Sequence, residues 1–370
     1  MNEIIFSNIG KLIERDSKTT TYKFALLRGV IDIIQENSPF IKLEKQVVKI
    51  PLGLLIEKWL IYYYPIFESR IIIPQINGQS NLAFEPEFKK VIKYYSLLGG
   101  LSAFYNDLKR KGIPNDISIE FLQLTKKLKD TITKMPMKYI GQSINKNHYS
   151  IFSYESALKS KKINSIDLSF LIDSYGYFTI PIAYFEAFSL FGSFITGQDS
   201  ILLKWAEFSV DASKNKLEVK DAINEIFKSP ITQRDVIESK QLYNNILKKQ
   251  GDVYCVWSGK LIKKFDVDHM IPFAIWKNND LWNLFPSDSK TNNLKRDKVP
   301  SVKHLEKSKD LIFYYWELLF DKSPIRFEKE LEVALLGGRF SENWRDKSFT
   351  QLKNACERLI KNRGYNEWNN

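Results

Sequence analysis

The stretch Phe265-Asp266-Val267-Asp268-His269-Met270-Ile271-Pro272 decides how the rest of this chain is read. It is an apolar, strand-like run that ends on an acid followed directly by one of only three histidines in 370 residues. On an extended segment neighbouring side chains point to opposite faces, so Asp268 and His269 need not share one role. Asn283 follows His269 by fourteen positions and Asn292 by twenty-three. A carboxylate and an amide oxygen are hard ligands and suit Mg²⁺ or Mn²⁺. A neutral imidazole, with a reference pKa of about 6.5, can take a proton from water near neutral pH. An acid, a histidine and a distant asparagine are thus the parts needed to hold one hard metal ion and activate one water.

The surroundings of that stretch read as hairpin, loop, helix. Residues 253–257 (Val-Tyr-Cys-Val-Trp) are β-branched and aromatic, and Ser258-Gly259-Lys260 is a turn signal. Residues 261–270 alternate loosely as a second strand, and 271–284 read as an irregular loop carrying Pro272 and Asn278-Asn279-Asp280. Pro286 and Ser287 open a polar helix to about Lys298, which Pro300 ends. Asn292 and Lys295 lie one turn apart on that helix and share a face. Asn292 is preferred to Asn293 as the site residue because it alone leaves an Asn-x-x-Lys spacing.

Across about 250–305 the chain resembles the HNH nucleases, whose unit is a ββα-metal fold. Asp266-Val267-Asp268-His269 is similar to the opening of the HNH domain of the RNA-guided CRISPR effector nuclease, with similar spacing to both asparagines. Asn292-Asn293-Leu294-Lys295 and Asp280-Leu281-Trp282-Asn283-Leu284 resemble segments of stand-alone bacterial HNH nucleases of restriction and phage-defence type. The resemblance implies that Asp268 and Asn292 ligate one Mg²⁺ or Mn²⁺ and that His269 is the general base. It implies that Asn283 braces the loop aiming His269, and that Lys295 neutralises the scissile phosphate. The chain departs from members with two Cys-x-x-Cys pairs. It has only Cys255 and Cys356, so a four-thiolate zinc site is impossible and no structural zinc is expected.

The bland reading is a chance Asp-His pair with a hydrogen-bonded structural histidine; strand context, both asparagines and the lysine weigh against it. His148, in Asn145-Lys146-Asn147-His148, reads as a loop residue, and His304 as part of a solvated helix face. Lys and Arg number 55 against 43 acids, a net charge of +12, which favours a polyanionic partner such as double-stranded DNA. A Lys-rich genome would produce the same balance. The basic clusters are Lys109-Arg110-Lys111, Lys126-Lys127-Lys129, Lys159-Lys161-Lys162 and Lys295-Arg296-Lys298, and only the last abuts the proposed site.

With 44% hydrophobic residues the chain can bury substantial cores. The expected class is α+β, predominantly α-helical. A helical recognition or partner domain is expected over 1–230, and an HNH endonuclease domain with C-terminal helices over 231–370. Thr20 or Thr21 should cap a helix running to Gln35, and Pro51 should start another. Further helices are expected near 85–98, 100–111, 117–133, 182–191 and 199–209, with two more within 214–250. A short strand is expected at 71–73. Tyr62, Tyr63 and Tyr64 should be core or interface. After Pro300, helices are expected at about 301–321, 325–336 and 347–362, with 366–370 frayed.

Two cysteines and no evident signal peptide fit a cytoplasmic protein. The apolar stretch 177–195, broken by Pro181, Glu186 and Gly192, reads as a buried helix or as strand plus helix, not a membrane span. The front half, through Tyr22-Lys23-Phe24-Ala25-Leu26-Leu27, resembles that of larger bacterial HNH proteins and assigns no residue a role. These features together point to a metal-dependent endonuclease, in restriction or anti-phage defence, with a defence-system protein or a second copy of the chain as possible partner. The rivals are a non-catalytic DNA-binding or sensor protein with a vestigial HNH fold, a homing enzyme of a mobile element, and a secreted nuclease toxin. The last would need an export or receptor-binding region, and none is visible.

Overall fold

The apolar run beginning at Tyr22 winds into a helix, Tyr22–Gln35, whose Phe24, Leu27, Val30, Ile31 and Ile34 are all buried. The architecture comes from a computed structural model that describes residues 3–78, 81–141, 150–157, 165–196, 201–214 and 216–369. His148 and the Lys159-Lys161-Lys162 cluster lie outside the described residues. The chain is α+β and mostly helical, and it divides into two compact units, Met1–Pro230 and Ile231–Asn370.

In the first unit Tyr22–Gln35 packs on Leu52–Glu68, whose Trp59, Tyr62, Tyr63 and Tyr64 are buried among Phe84, Phe88, Phe104 and Trp205. Thr21 does not cap its helix as expected; its hydroxyl is bonded to the Tyr63 hydroxyl at 2.9 Å. Pro51 ends a strand, and the helix starts one residue later. Residues 71–73 form no strand. A four-stranded antiparallel sheet instead orders Lys42–Leu43, Val47–Pro51, Tyr177–Pro181 and Ser153–Glu155. Two of these strands are only two and three residues long, too short for a period-2 signal. The apolar stretch near 177–195 is strand then helix, Tyr177–Pro181 and Ile182–Thr196. Among the described residues no helix is long and apolar enough to cross a membrane.

The second unit opens with the helix Ile237–Gln250. Gly251, at φ 83°, closes it by donating to Leu247 O at 2.8 Å, a left-handed stop that only glycine adopts without strain. Val253–Tyr254 then pairs with Leu261–Ile262 as a minimal hairpin. The expected strand over 261–270 is broken: exposed Lys263 and Lys264 carry the chain out of the hairpin, and Asp266–His269 forms a new strand. Its antiparallel partner is Leu284–Ser287, which spans the end of the expected loop and the start of the expected helix.

Pro286 therefore sits in a strand rather than opening a helix. Its carbonyl accepts from Val256 N at 2.9 Å, joining the two ladders. The helix begins at Ser289, because Asp288 Oδ1 accepts from Thr291 N at 2.9 Å and supplies the cap; the helix ends at Lys295. Beyond it, the single helix expected over 301–321 is two, Val302–Lys307 and Lys309–Lys322. Pro324–Leu331 and Trp344–Lys361 complete the helices. Within the expected frayed stretch, Glu367–Trp368 pairs in parallel with Val299–Pro300, and Trp368 is buried. The core under the strands is Trp282, Phe285, Val299, Leu305, Tyr315, Trp316 and Leu319, so the ladders lie on a rigid aromatic base.

Candidate active site

Asp268 and His269, adjacent on one strand, send their side chains to different partners. Asp268 Oδ2 accepts from the Trp257 indole N–H at 2.7 Å, and the Lys295 ammonium reaches Oδ1 at 3.2 Å and Oδ2 at 3.1 Å. The same ammonium donates to the His269 carbonyl at 2.7 Å and lies 5.6 Å from the centre of the Trp257 ring. Burial pushes the Asp268 pKa up, while Lys295, Trp257 and Arg234 act to hold it down. Lys295 is completely buried, which differs from the expected place at a substrate phosphate. The physical reason is local: the Ser289–Lys295 helix packs on the Asp266–His269 strand, so a lysine in its last turn faces the carboxylate.

His269 Nε2 lies 3.1 Å from Asn279 Oδ1, and Phe273 packs edge-on to the imidazole at 5.5 Å. Burial pulls the His269 pKa down to about 4; the Asn279 contact opposes this, and the charges of Arg234 and Lys295 add to it. The ring is therefore neutral at pH 7, the form that can accept a proton. Asn283, fully buried, clamps the turn after His269: Ile271 N donates to its Oδ1 at 2.8 Å and its Nδ2 donates to Ile271 O at 3.0 Å. Its backbone carbonyl also takes Met270 N–H at 2.8 Å. The stretch around it is pinned from behind by Leu281 N to Glu330 Oε2 at 2.7 Å and Trp316 Nε1 to Trp282 O at 2.8 Å.

Asn292 is half-buried and sits three residues before Lys295, about one turn earlier on the same helix. A carboxylate has about four lone-pair positions, and Trp257 and Lys295 do not exhaust those of Asp268. One carboxylate and one amide oxygen on adjoining elements fit a small hard cation that keeps several waters. Among the described residues no group of three or more His, Cys, Asp or Glu could hold a metal. Cys255 is buried, with its Sγ 3.2 Å from Asp288 Oδ2 and 3.7 Å from Ser287 Oγ. Burial pushes the Cys356 thiol up to about 12, so it is no nucleophile at neutral pH.

Two residues near the site carried no sequence signal of their own. Asn279 is buried beside His269 inside a polar tripeptide that reads as a plain turn. Arg234 is exposed, twenty-three residues before Trp257 and thirty-four before Asp268, and its charge is felt by both Asp268 and His269. Its neighbour Gln233 is tied in, the Gln233 carbonyl accepting from Asn279 Nδ2 at 2.9 Å. Of the basic cluster after the site, Lys295 is consumed by Asp268 while Arg296 stays exposed. His304 is not on a solvated face as expected. It is 4% exposed, its ring 4.2 Å from that of Trp368 and 5.3 Å from that of Trp257.

Comparison with known proteins gives two family matches. Residues 256–301, which span Trp257, Asp268, His269, Asn279, Asn283, Asn292 and Lys295, match the family described as HNH endonuclease. Such a domain implies a nuclease acting on nucleic acid, and this family generally uses a divalent metal. No curated protein matches the chain. Residues 2–226, more than half of the chain, match a second family, described as a domain of unknown function, DUF8808. The chain thus belongs to the DUF8808 family and carries an HNH endonuclease domain in its C-terminal unit.

Proposed function

We propose that the second unit hydrolyses DNA phosphodiester bonds with His269 as general base and Mg²⁺ or Mn²⁺ held by Asp268 and Asn292. The observation that carries the reading is the divergence of Asp268 and His269 from one strand, each toward its own buried partners. A cation bound at Asp268 and Asn292 supplies charge relief on the phosphoryl oxygen and the leaving oxygen. The protein's own part is proton handling and alignment. His269 takes a proton from water as the water oxygen bonds to phosphorus. The bond from phosphorus to the leaving sugar oxygen breaks, and that oxygen is protonated from solvent. An anionic phosphate beside the ring favours the protonated imidazole and so offsets the effect of burial.

Asn283 holds the turn that sets the angle of His269. Lys295 holds the carboxylate of Asp268. The exposed cation nearest in effect to both residues is Arg234, which we assign to the substrate phosphate in place of Lys295. The first unit is assigned to target selection or to docking a partner, whether a defence-system protein or a second copy. Restriction or anti-phage defence is the proposed setting, on the resemblance of the motif segments. The test is incubation of the purified chain with supercoiled plasmid in Mg²⁺, Mn²⁺ or EDTA. Nicking or linearisation that EDTA stops is expected; intact DNA in every metal would overturn the reading.

A further inference from the structure

The amide of Asn279 has one orientation that its surroundings allow. One end of it lies 2.9 Å from the carbonyl oxygen of Gln233. A carbonyl oxygen only accepts, so the atom facing it must be the NH₂ group. The other end, 3.1 Å from His269 Nε2, is then the amide oxygen, which also only accepts. His269 Nε2 must therefore carry the hydrogen, and the neutral ring leaves Nδ1 bare. The reversed amide would set two oxygens against each other at Gln233, an electrostatic repulsion in place of a hydrogen bond.

Asn279 is itself held. Its backbone carbonyl accepts from Arg326 Nη2 at 3.2 Å, and Arg326 is bound to Glu238 and, at 2.7 Å, to Glu330. Glu330 in turn accepts from Leu281 N at 2.7 Å, two residues along the same loop. The flanking Asn278 and Asp280 bond each other, at 2.7 Å through Asn278 Nδ2 and at 2.7 Å through Asp280 N. The acceptor facing the imidazole is thus mounted on a braced turn, and it is 5% exposed.

We propose that Asn279 is a positioning residue that fixes His269 in the Nε2–H tautomer, so that Nδ1 is the atom that takes the proton from water. This deepens the nuclease reading and rests on it for the proton step alone. The hydrogen-bond chain Gln233 carbonyl, Asn279 amide, His269 ring stands on distances. Outer partners of this kind typically change activity by about 10 to 100-fold when removed.

The experiment compares wild type, Asn279→Ala, Asn279→Asp and Gln233→Ala at one fixed neutral pH. The first readout is the ¹⁵N shift of the His269 ring nitrogens, assigned by its loss in His269→Ala among the three histidines of the chain. The second is plasmid cleavage, separated into kcat and KM. Wild type should show protonated Nε2 and bare Nδ1. Asn279→Ala should show the proton shared between both nitrogens and kcat lower by about 10 to 100-fold with KM unchanged. Asn279→Asp sets an oxygen against the Gln233 carbonyl and so loses that anchor, but it keeps an acceptor toward His269 and should leave the proton on Nε2. Gln233→Ala should match wild type, because only the backbone carbonyl is used. A wild-type proton on Nδ1, or a wild-type signature and kcat in Asn279→Ala, would overturn the proposal. If wild type cleaves nothing, the nuclease reading falls, while the ring signature still decides whether Asn279 sets the tautomer.

Discussion

The Lys295 ammonium lies 3.1 Å from Oδ2 and 3.2 Å from Oδ1 of Asp268, and no part of the lysine side chain reaches solvent. Two unlike charges buried together are each strongly dependent on the other, because either one left alone is an uncompensated charge in a low-dielectric interior. Here the pair also fixes the carboxylate that we assign to the cation. Stability and metal affinity are therefore linked through one contact.

Lys295→Met should destabilise the chain by about 3 to 5 kcal/mol, since it leaves Asp268 buried without its cation. Adding Asp268→Asn should recover part of that loss. Urea denaturation of both single variants and the double variant measures the coupling, and strict additivity would show the pair to be unimportant.

His269→Ala should lower the cleavage rate by about 10² to 10⁴ while leaving DNA affinity essentially intact. The imidazole is assigned to the attacking water, not to holding substrate. Single-turnover cleavage together with DNA titration checks both halves; wild-type turnover in the variant would remove His269 from the chemistry.

Arg234→Gln should reduce the salt dependence of DNA binding by about one phosphate's worth of slope. The measurement uses the His269→Ala background so that the DNA stays whole. Arg234 is exposed, so its replacement leaves the buried packing untouched. An unchanged slope would return the phosphate contact to another cation, such as Arg296.

EDTA should stop cleavage, and Mg²⁺ or Mn²⁺ should restore it, with Asp268→Asn requiring much more metal. Elemental analysis of the folded chain should find no stoichiometric zinc. Zinc released only on unfolding would contradict the two-cysteine argument.

Stability should fall on acidification. Burial takes the His269 pKa from 6.5 to about 4, so between those values the unfolded chain binds the proton and the folded chain does not. Stability is thus whole above pH 6.5 and is lost as pH drops through that window, by at most roughly 3 kcal/mol. Asp268, whose pKa burial raises, protonates first in the folded state and returns some stability at the acid end. Urea midpoints from pH 7.5 downward should fall more steeply for wild type than for His269→Ala; equal slopes would contradict the assignment.

Which residues lie near the site was legible in the sequence because the motif is local. Asp268, His269, Asn283, Asn292 and Lys295 fall within twenty-eight consecutive residues, and a short chain segment can bring few arrangements to one place. The helices were legible from their apolar periodicity, as in Tyr22–Gln35. Strands were not. Leu284–Ser287 is buried at all four positions, so it shows no alternation, and its proline argues for a helix start. The two- and three-residue strands of the first unit owe their existence to partners far along the chain.

By itself the sequence determined the helical class, the excess of positive charge and the hard-donor residue types that suit an HNH centre, because each follows from composition, period or short spacing. Only the tertiary structure decided how those residues are used. Lys295 turns inward because its helix packs on the strand of Asp268, a contact between elements that no spacing rule specifies. Asn279 reaches His269 because a distant arginine and glutamate, Arg326 and Glu330, pin its loop. Glu367–Trp368 stays ordered because it has an unpaired strand edge at Val299–Pro300 to join. In each case the deciding energy is a partner supplied by another part of the chain.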